Sequence, residues 1–211
     1  MQNDPLADVP SPIDLRSMTD AHEWARTATT KRPWRKDFFA RIADELSRVG
    51  EGPLAVLELG SGPGFLARHL LSAVRVSRYC ALDSSAAMHE LAQDRLGALA
   101  DRVEFVEADF RSAHWAEGLP VVEAVVTVQA VHELRHKRHA VPFYRRVRPL
   151  IAPGGVMLMC DHFAGHDGMS NGALYMTPGE HADAVREGGF MTIDVLLQKG
   201  GLILLRACGA T

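Results

Sequence analysis

Cysteine is scarce and scattered: Cys80, Cys160 and Cys208 lie far apart, each in an apolar run, and their number is odd. That pattern excludes a disulfide framework or a zinc cluster and predicts buried thiols in a reducing compartment. No apolar stretch approaches the roughly 18 residues of a membrane-spanning helix, so no membrane partner is expected. An excess of one charge is missing as well. The 23 Lys and Arg face 26 Asp and Glu, a formal charge of −3, which argues against a dedicated nucleic-acid binder. Neither Gly-X-Y nor a sustained heptad repeat occurs, which removes collagen-like and coiled-coil chains. The opening MQNDPLADVPSPIDL lacks the basic start and apolar centre of a signal peptide. A cytoplasmic protein is the expectation.

What is present is an ordinary globular composition, 47% apolar and 23% charged over 211 residues, enough for one domain with a substantial core. Residues 1–19, with three prolines and no apolar period, predict a flexible or surface-hugging arm. Residues 20–211 then read as a single domain that begins with cap helices over 20–50. Phe38, Phe39, Ile42, Leu46 and Val49 recur at helical steps behind Pro33, which suits a first helical turn.

Strand and helix patterns alternate from Leu54. Strands are expected at 54–59, 76–82, 103–106, 121–128 and 156–160, with helices at 63–73, 84–99 and 137–150. A Gly- and His-rich loop over 162–177 and a helix from Pro178 follow. Two last strands, 190–197 and 202–208, are joined by a link short enough only for an antiparallel hairpin. The alternation predicts an α/β fold: three layers around a doubly wound, mostly parallel seven-stranded sheet closed by a C-terminal hairpin.

The most informative segment is Val56-Leu-Glu-Leu-Gly-Ser-Gly-Pro-Gly-Phe65, a strand running into Gly60, Gly62 and Gly64 ahead of a helix. Glycines there let the backbone turn sharply and approach a ligand, and the helix start offers free N–H groups. A dinucleotide-binding loop would need glycine at position 65, and a P-loop would need Gly-Lys-Ser/Thr; neither is present. Glu58, two residues before Gly60, would repel phosphates and suit an ammonium or sulfonium.

The run Glu58-Leu-Gly-Ser-Gly-Pro-Gly64 resembles the first motif of the class I S-adenosylmethionine-dependent methyltransferases, and the likeness extends from about Trp34 to Cys208. The resemblance implies that Asp83, in Ala81-Leu-Asp83-Ser84, takes both ribose hydroxyls of S-adenosylmethionine; a carboxylate can accept both bonds of a vicinal diol. It implies that Met88 packs on the adenine and that Asp109, followed by Phe110, stands beside the adenine amino group. The segment Thr127-Val-Gln129-Ala-Val-His132-Glu-Leu134 is similar to the place where cofactor and acceptor meet. Leu150-Ile-Ala-Pro-Gly-Gly-Val156 matches the turn into the fifth strand. Glu58, Gly60, Gly62, Gly64, Asp83, Ser84, Met88, Asp109, Phe110 and Gln129 are therefore the expected cofactor residues.

Ligands bind outside the carboxyl ends of the strands in such sheets, which places His132 and His162 at the mouth as candidate bases for the acceptor. Trp34 and Arg35, on the leading helix, are expected to line the acceptor pocket with them. The loop 162–177, with Met169, Tyr175 and Met176, is an expected lid. His132, Glu133, Asp161, His162 and His166 are possible metal donors, but no ligand spacing links them and no metal is expected. The expectation is methyl transfer to an oxygen or nitrogen of a small molecule. Alternatives are an RNA- or protein-directed enzyme using the basic stretch 135–148, and a non-catalytic cofactor-binding partner. The oligomeric state is not fixed by the pattern.

Overall fold

The computed structural model describes residues 7–209. Strands Leu54–Leu59 (β1), Val76–Asp83 (β2), Val103–Glu107 (β3), Val122–Val128 (β4), Ile151–His162 (β5), Thr192–Lys199 (β6) and Leu202–Cys208 (β7) form one sheet. Their order is β3-β2-β1-β4-β5-β7-β6. The first five are parallel, and β7 runs antiparallel to both β5 and β6. This is the doubly wound α/β sheet with a terminal hairpin that the sequence predicts.

Strands β1 and β4 are apolar on both faces because both faces are covered. Val56 and Leu57 point to opposite sides, and neither is exposed. Helices α2 (Arg35–Leu46) and α3 (Phe65–Ala73) close one face, packing Phe38, Ile42, Leu66 and Leu70 on Val56, Val126 and Leu158. Helices α5 (Ala140–Val147) and α6 (Pro178–Glu187) close the other, where Phe143, Tyr144 and Val185 meet Leu57, Val125 and Met157. Each fully buried Leu, Ile or Phe contributes about 1.5–3 kcal/mol. Helices α1 (Met18–Lys31) and α4 (Ala86–Leu96) share a smaller cluster of Ala21, Ala25, Met88 and Leu91. No helix among the described residues is long and apolar enough to cross a membrane.

Several boundaries differ from expectation, two of them in ways that reshape an element. The basic stretch 137–150 is not one helix: a 3₁₀ turn at Lys137–His139 precedes α5 and another at Arg148–Leu150 follows it. His136 starts the first turn by accepting the Arg138 N–H at 3.1 Å, and Pro149 opens the second. Strand β5 begins at Ile151 rather than 156, because Ile151 already pairs with Val122 across a register shift. Gly155 is required there, since a Cβ would lie 2.6 Å from the Glu123 carbonyl oxygen.

The N-terminal arm is held down from residue 8 onward; residues 1–6 lie outside the described residues. The Val9 N–H donates to the Arg135 carbonyl at 2.8 Å. Arg135 returns two guanidinium bonds, to the carbonyls of Val9 at 2.8 Å and Pro10 at 2.7 Å. Further along, Arg16 pairs with Asp109 at 3.1 Å.

Candidate active site

Strands β1 and β4 are neighbours whose connections leave in opposite directions, which opens a crevice at their carboxyl ends. A cavity of about 480 Å³ lies there. Its floor is the loop after β1. Gly60 has φ +70°, and a Cβ on it would come within 2.3 Å of the Ala130 Cβ, so only glycine lets this loop pass the segment after β4. Gly60, Ser61 and Gly62 line the cavity, whereas Gly64 does not. Gly64 begins α3 with φ +75°, and a Cβ there would press on Ala92 of α4 at 3.1 Å. Its contribution is the close packing of two helices.

The carboxylate of Asp83, the last residue of β2, reaches this loop. It accepts the Gly62 N–H at 2.8 Å and the Ser85 N–H at 3.0 Å. Burial holds its pKa above the usual carboxylate range, against those two bonds. The N-cap of α4 is Ser85, whose hydroxyl accepts the Met88 N–H at 3.1 Å, which leaves Asp83 available to a ligand. Ser84, Met88, Phe110 and Asp109 also line the cavity. Asp109 is clasped by Arg111 at 2.7 Å and by Arg16 of the arm at 3.1 Å. Glu58 is buried, accepts the Tyr79 hydroxyl at 2.6 Å, and is pushed up to about 8 by burial.

The turn joining α1 to α2 delivers Arg32 and Arg35 to the same cavity. Arg35 is buried among aromatic rings, 5.5 Å from Trp24, 5.5 Å from Phe39 and 5.3 Å from Phe65, a placement that suits a guanidinium. Its Nε has no hydrogen-bond partner, and burial lowers its pKa to about 10. Trp34 corrects an expectation: it does not line the cavity. Its indole covers Gly200 in the β6–β7 turn, where a Cβ would lie 2.3 Å from it, so Trp34 staples the leading helix to the hairpin.

At the other end stand His132, Asp161, His162 and Gln129. The buried Asp161 carboxylate accepts the His132 ring Nδ1 at 2.7 Å and the His132 N–H at 2.8 Å. Glu133 lies 3.3 Å from Nε2. Burial alone would depress the His132 imidazolium, but the two carboxylates outweigh it and raise its pKa to about 10. Asp161 is lowered to about 2 by His132, against its burial. His162 is pushed by burial to about 4, so it is neutral, and its Nε2 meets the Gln129 amide nitrogen at 2.9 Å.

Gln129 has φ +56°, a conformation side chains rarely adopt and one found at functional sites. Tyr175 is the lid residue that reaches the cavity, with its ring 5.6 Å from His132 and 5.8 Å from His162. Met169 and Met176 do not reach it. His166 is exposed and pairs with Asp167. Among the described residues, no three His, Cys, Asp or Glu converge so that they could hold a metal ion.

Sequence reading placed His132 and Asp161 at the same mouth but missed their pairing across 29 positions. It also missed Arg32, Trp24 and the arm as parts of the wall. The Thr30-Lys-Arg32-Pro-Trp-Arg35 segment carried the signal for Arg32, because a basic run before Pro33 fits no apolar helix face.

Residues 56–155 match the profile of a methyltransferase domain family. Solved structures share the fold. Human N-acetylserotonin methyltransferase in complex with SAM has TM-score 0.69 and 17% identity, covering 93% of this chain and 58% of that one. An O-methyltransferase family protein from Burkholderia thailandensis has TM-score 0.69 and 20% identity, covering 92% and 60%. A chain of the complex that the Haloferax volcanii Trm112 methyltransferase activator forms with a methyltransferase has TM-score 0.71 and 18% identity, covering 95% and 100%. This chain thus spans about three fifths of the first two. No curated protein matches the sequence.

Proposed function

We propose that this chain is a class I methyltransferase, a reading supported by its fold and by the domain that residues 56–155 match, and that it methylates a hydroxyl of a small acceptor, with His132 taking the proton. The observation that carries the proposal is the pairing of His132 Nδ1 with buried Asp161 at 2.7 Å. It fixes the ring, and Nε2, 3.3 Å from Glu133 at the cavity wall, acts as the base in the neutral form that grows toward alkaline pH. An oxygen acceptor must lose a proton as it attacks, and a base oriented in this way serves that step.

S-adenosylmethionine supplies a methyl group on a sulfonium, open to in-line displacement. The residues present fit this molecule. The Asp83 carboxylate keeps acceptor capacity for a ribose diol beside Gly62. Met88, Phe110 and Asp109 form the adenine end. Arg35, a buried guanidinium with no ion pair, fits the amino-acid carboxylate beside Glu58, whose field acts on it. His162, with its lone pair on Gln129, holds the wall and leaves the proton to His132.

The basic stretch 135–148 supports a small acceptor better than a polyanion, because most of it is engaged within the fold. Arg135 is buried on Val9, Pro10 and Glu133. Lys137 pairs with Glu180 at 2.6 Å and Arg138 with Asp8 at 3.0 Å.

The test is methyl transfer from labelled S-adenosylmethionine to a panel of small hydroxyl compounds, with S-adenosylhomocysteine binding followed by calorimetry. His132→Gln should keep that binding and lose transfer. Turnover of the variant at the wild-type rate rejects the proposal.

A further inference from the structure

We propose that the methyl acceptor carries a carboxylate and that Arg32 binds it; this rests on the methyltransferase reading of the cavity. The argument begins with the charges of the wall. Arg16 and Arg111 share the single Asp109 carboxylate, and Arg135 pairs with Glu133. Among the described residues, Arg32 and Arg35 are the two guanidiniums of the cavity with no ion pair and no side-chain hydrogen bond. They sit on one turn, tied by the Arg35 N–H to the Arg32 carbonyl at 3.1 Å, and the charge of Arg32 disfavours that of Arg35. Two like charges in a partly dry cavity, unanswered by the protein, are a standing cost that anionic ligands remove.

One cofactor carboxylate answers one guanidinium. Arg35 is placed for it, against Phe65 at the start of α3 and in the field of Glu58. Arg32 lines the cavity together with His132, His162 and Tyr175, and its charge acts on Tyr175 and His162 beside the His132 base. Asp161 is already committed to His132, so it does not answer Arg32. A second anion at this end therefore belongs to the acceptor. A guanidinium matches a carboxylate with two parallel N–H bonds, which would fix the acceptor and aim its hydroxyl toward His132. Trp24 and Tyr175 also line the cavity, and aromatic rings there suit a planar acceptor. The geometry points to a small aromatic hydroxy acid.

The experiment titrates hydroxybenzoates and hydroxycinnamates, each beside its amide, into protein saturated with S-adenosylhomocysteine. At least one acid should bind more tightly than its amide by about tenfold, the scale of one charge-assisted bidentate contact. Arg32→Gln should erase that preference while leaving S-adenosylhomocysteine affinity unchanged, and Arg32→Lys should restore part of it. Arg35→Gln should instead weaken S-adenosylhomocysteine. The inference is overturned if no acid is preferred over its amide, if the preference survives Arg32→Gln, or if Arg32→Gln weakens S-adenosylhomocysteine as Arg35→Gln does. Wild-type protein that fails to bind S-adenosylhomocysteine would overturn the methyltransferase reading itself, and this inference with it.

Discussion

Asp161 grips His132 twice, at the ring Nδ1 through one carboxylate oxygen and at the backbone N–H through the other, at 2.7 and 2.8 Å. The first residue comes from the end of β5 and the second from the 3₁₀ turn after β4, so the pair also ties two neighbouring strand ends together. The orientation of the imidazole thus depends on one buried carboxylate. Asp161→Asn should lower kcat by roughly 10²- to 10⁴-fold, the usual worth of a positioned base, while S-adenosylhomocysteine affinity is kept. Steady-state kinetics beside calorimetry checks both.

The same pair sets a pH dependence. With the His132 pKa raised to about 10, the neutral base grows as pH rises, so activity should climb through the alkaline range. Glu133→Gln removes one of the two supporting carboxylates and should move the rising limb to lower pH. Stability follows with definite signs. The raised His132 contributes fully below about 6.5, its unfolded value, and the contribution is lost as pH climbs through about 10. The depressed Asp161 contributes above about 3.9, and this is lost as pH falls toward about 2. Rate profiles and denaturant melts across pH report the two separately.

Asp83→Ala should weaken S-adenosylhomocysteine by about tenfold or more through lost diol bonds, and it also frees the Gly62 N–H. Unchanged affinity by calorimetry would show that the ribose lies elsewhere.

Gly200→Val should destabilise the fold by about 1–3 kcal/mol. The new side chain would strike the Trp34 indole from a position with φ +57°. Thermal unfolding measures the loss. Trp34→Ala in the same background should recover part of it if the clash is the cause.

Deleting residues 1–16 should lower S-adenosylhomocysteine affinity and also lower the melting temperature, because buried Arg135 loses its bonds to the Val9 and Pro10 carbonyls. The arm reaches the end of the cavity proposed for adenine through the Arg16–Asp109 ion pair.

The sheet was legible in the sequence because its signals are local: apolar runs such as Val122–Val128, closed by glycine or proline, predict strands wherever they occur. The glycine loop was legible for the same reason, as strand, turn and helix lie within a few residues. Position across the fold was not. Trp34 reads the same whether it faces a pocket or Gly200, because the hairpin it meets is more than 160 residues away. Arg32 required the knowledge that, among the described residues, no carboxylate pairs with it. The helix expected over 137–150 broke into turns because His136 offers its ring nitrogen to the backbone, a choice that composition does not reveal.

Glu58 holds a consequence for how the cavity fills. With its pKa pushed up to about 8, the buried carboxyl keeps its proton at neutral pH until a positive group comes close. A ligand ammonium placed beside it would drive that proton into the solvent, so loading the cavity should acidify a weakly buffered solution. Heats measured in buffers of different ionisation enthalpy would differ accordingly. The first acid–base event of the cycle would then precede any chemistry, at a carboxyl that never touches the acceptor.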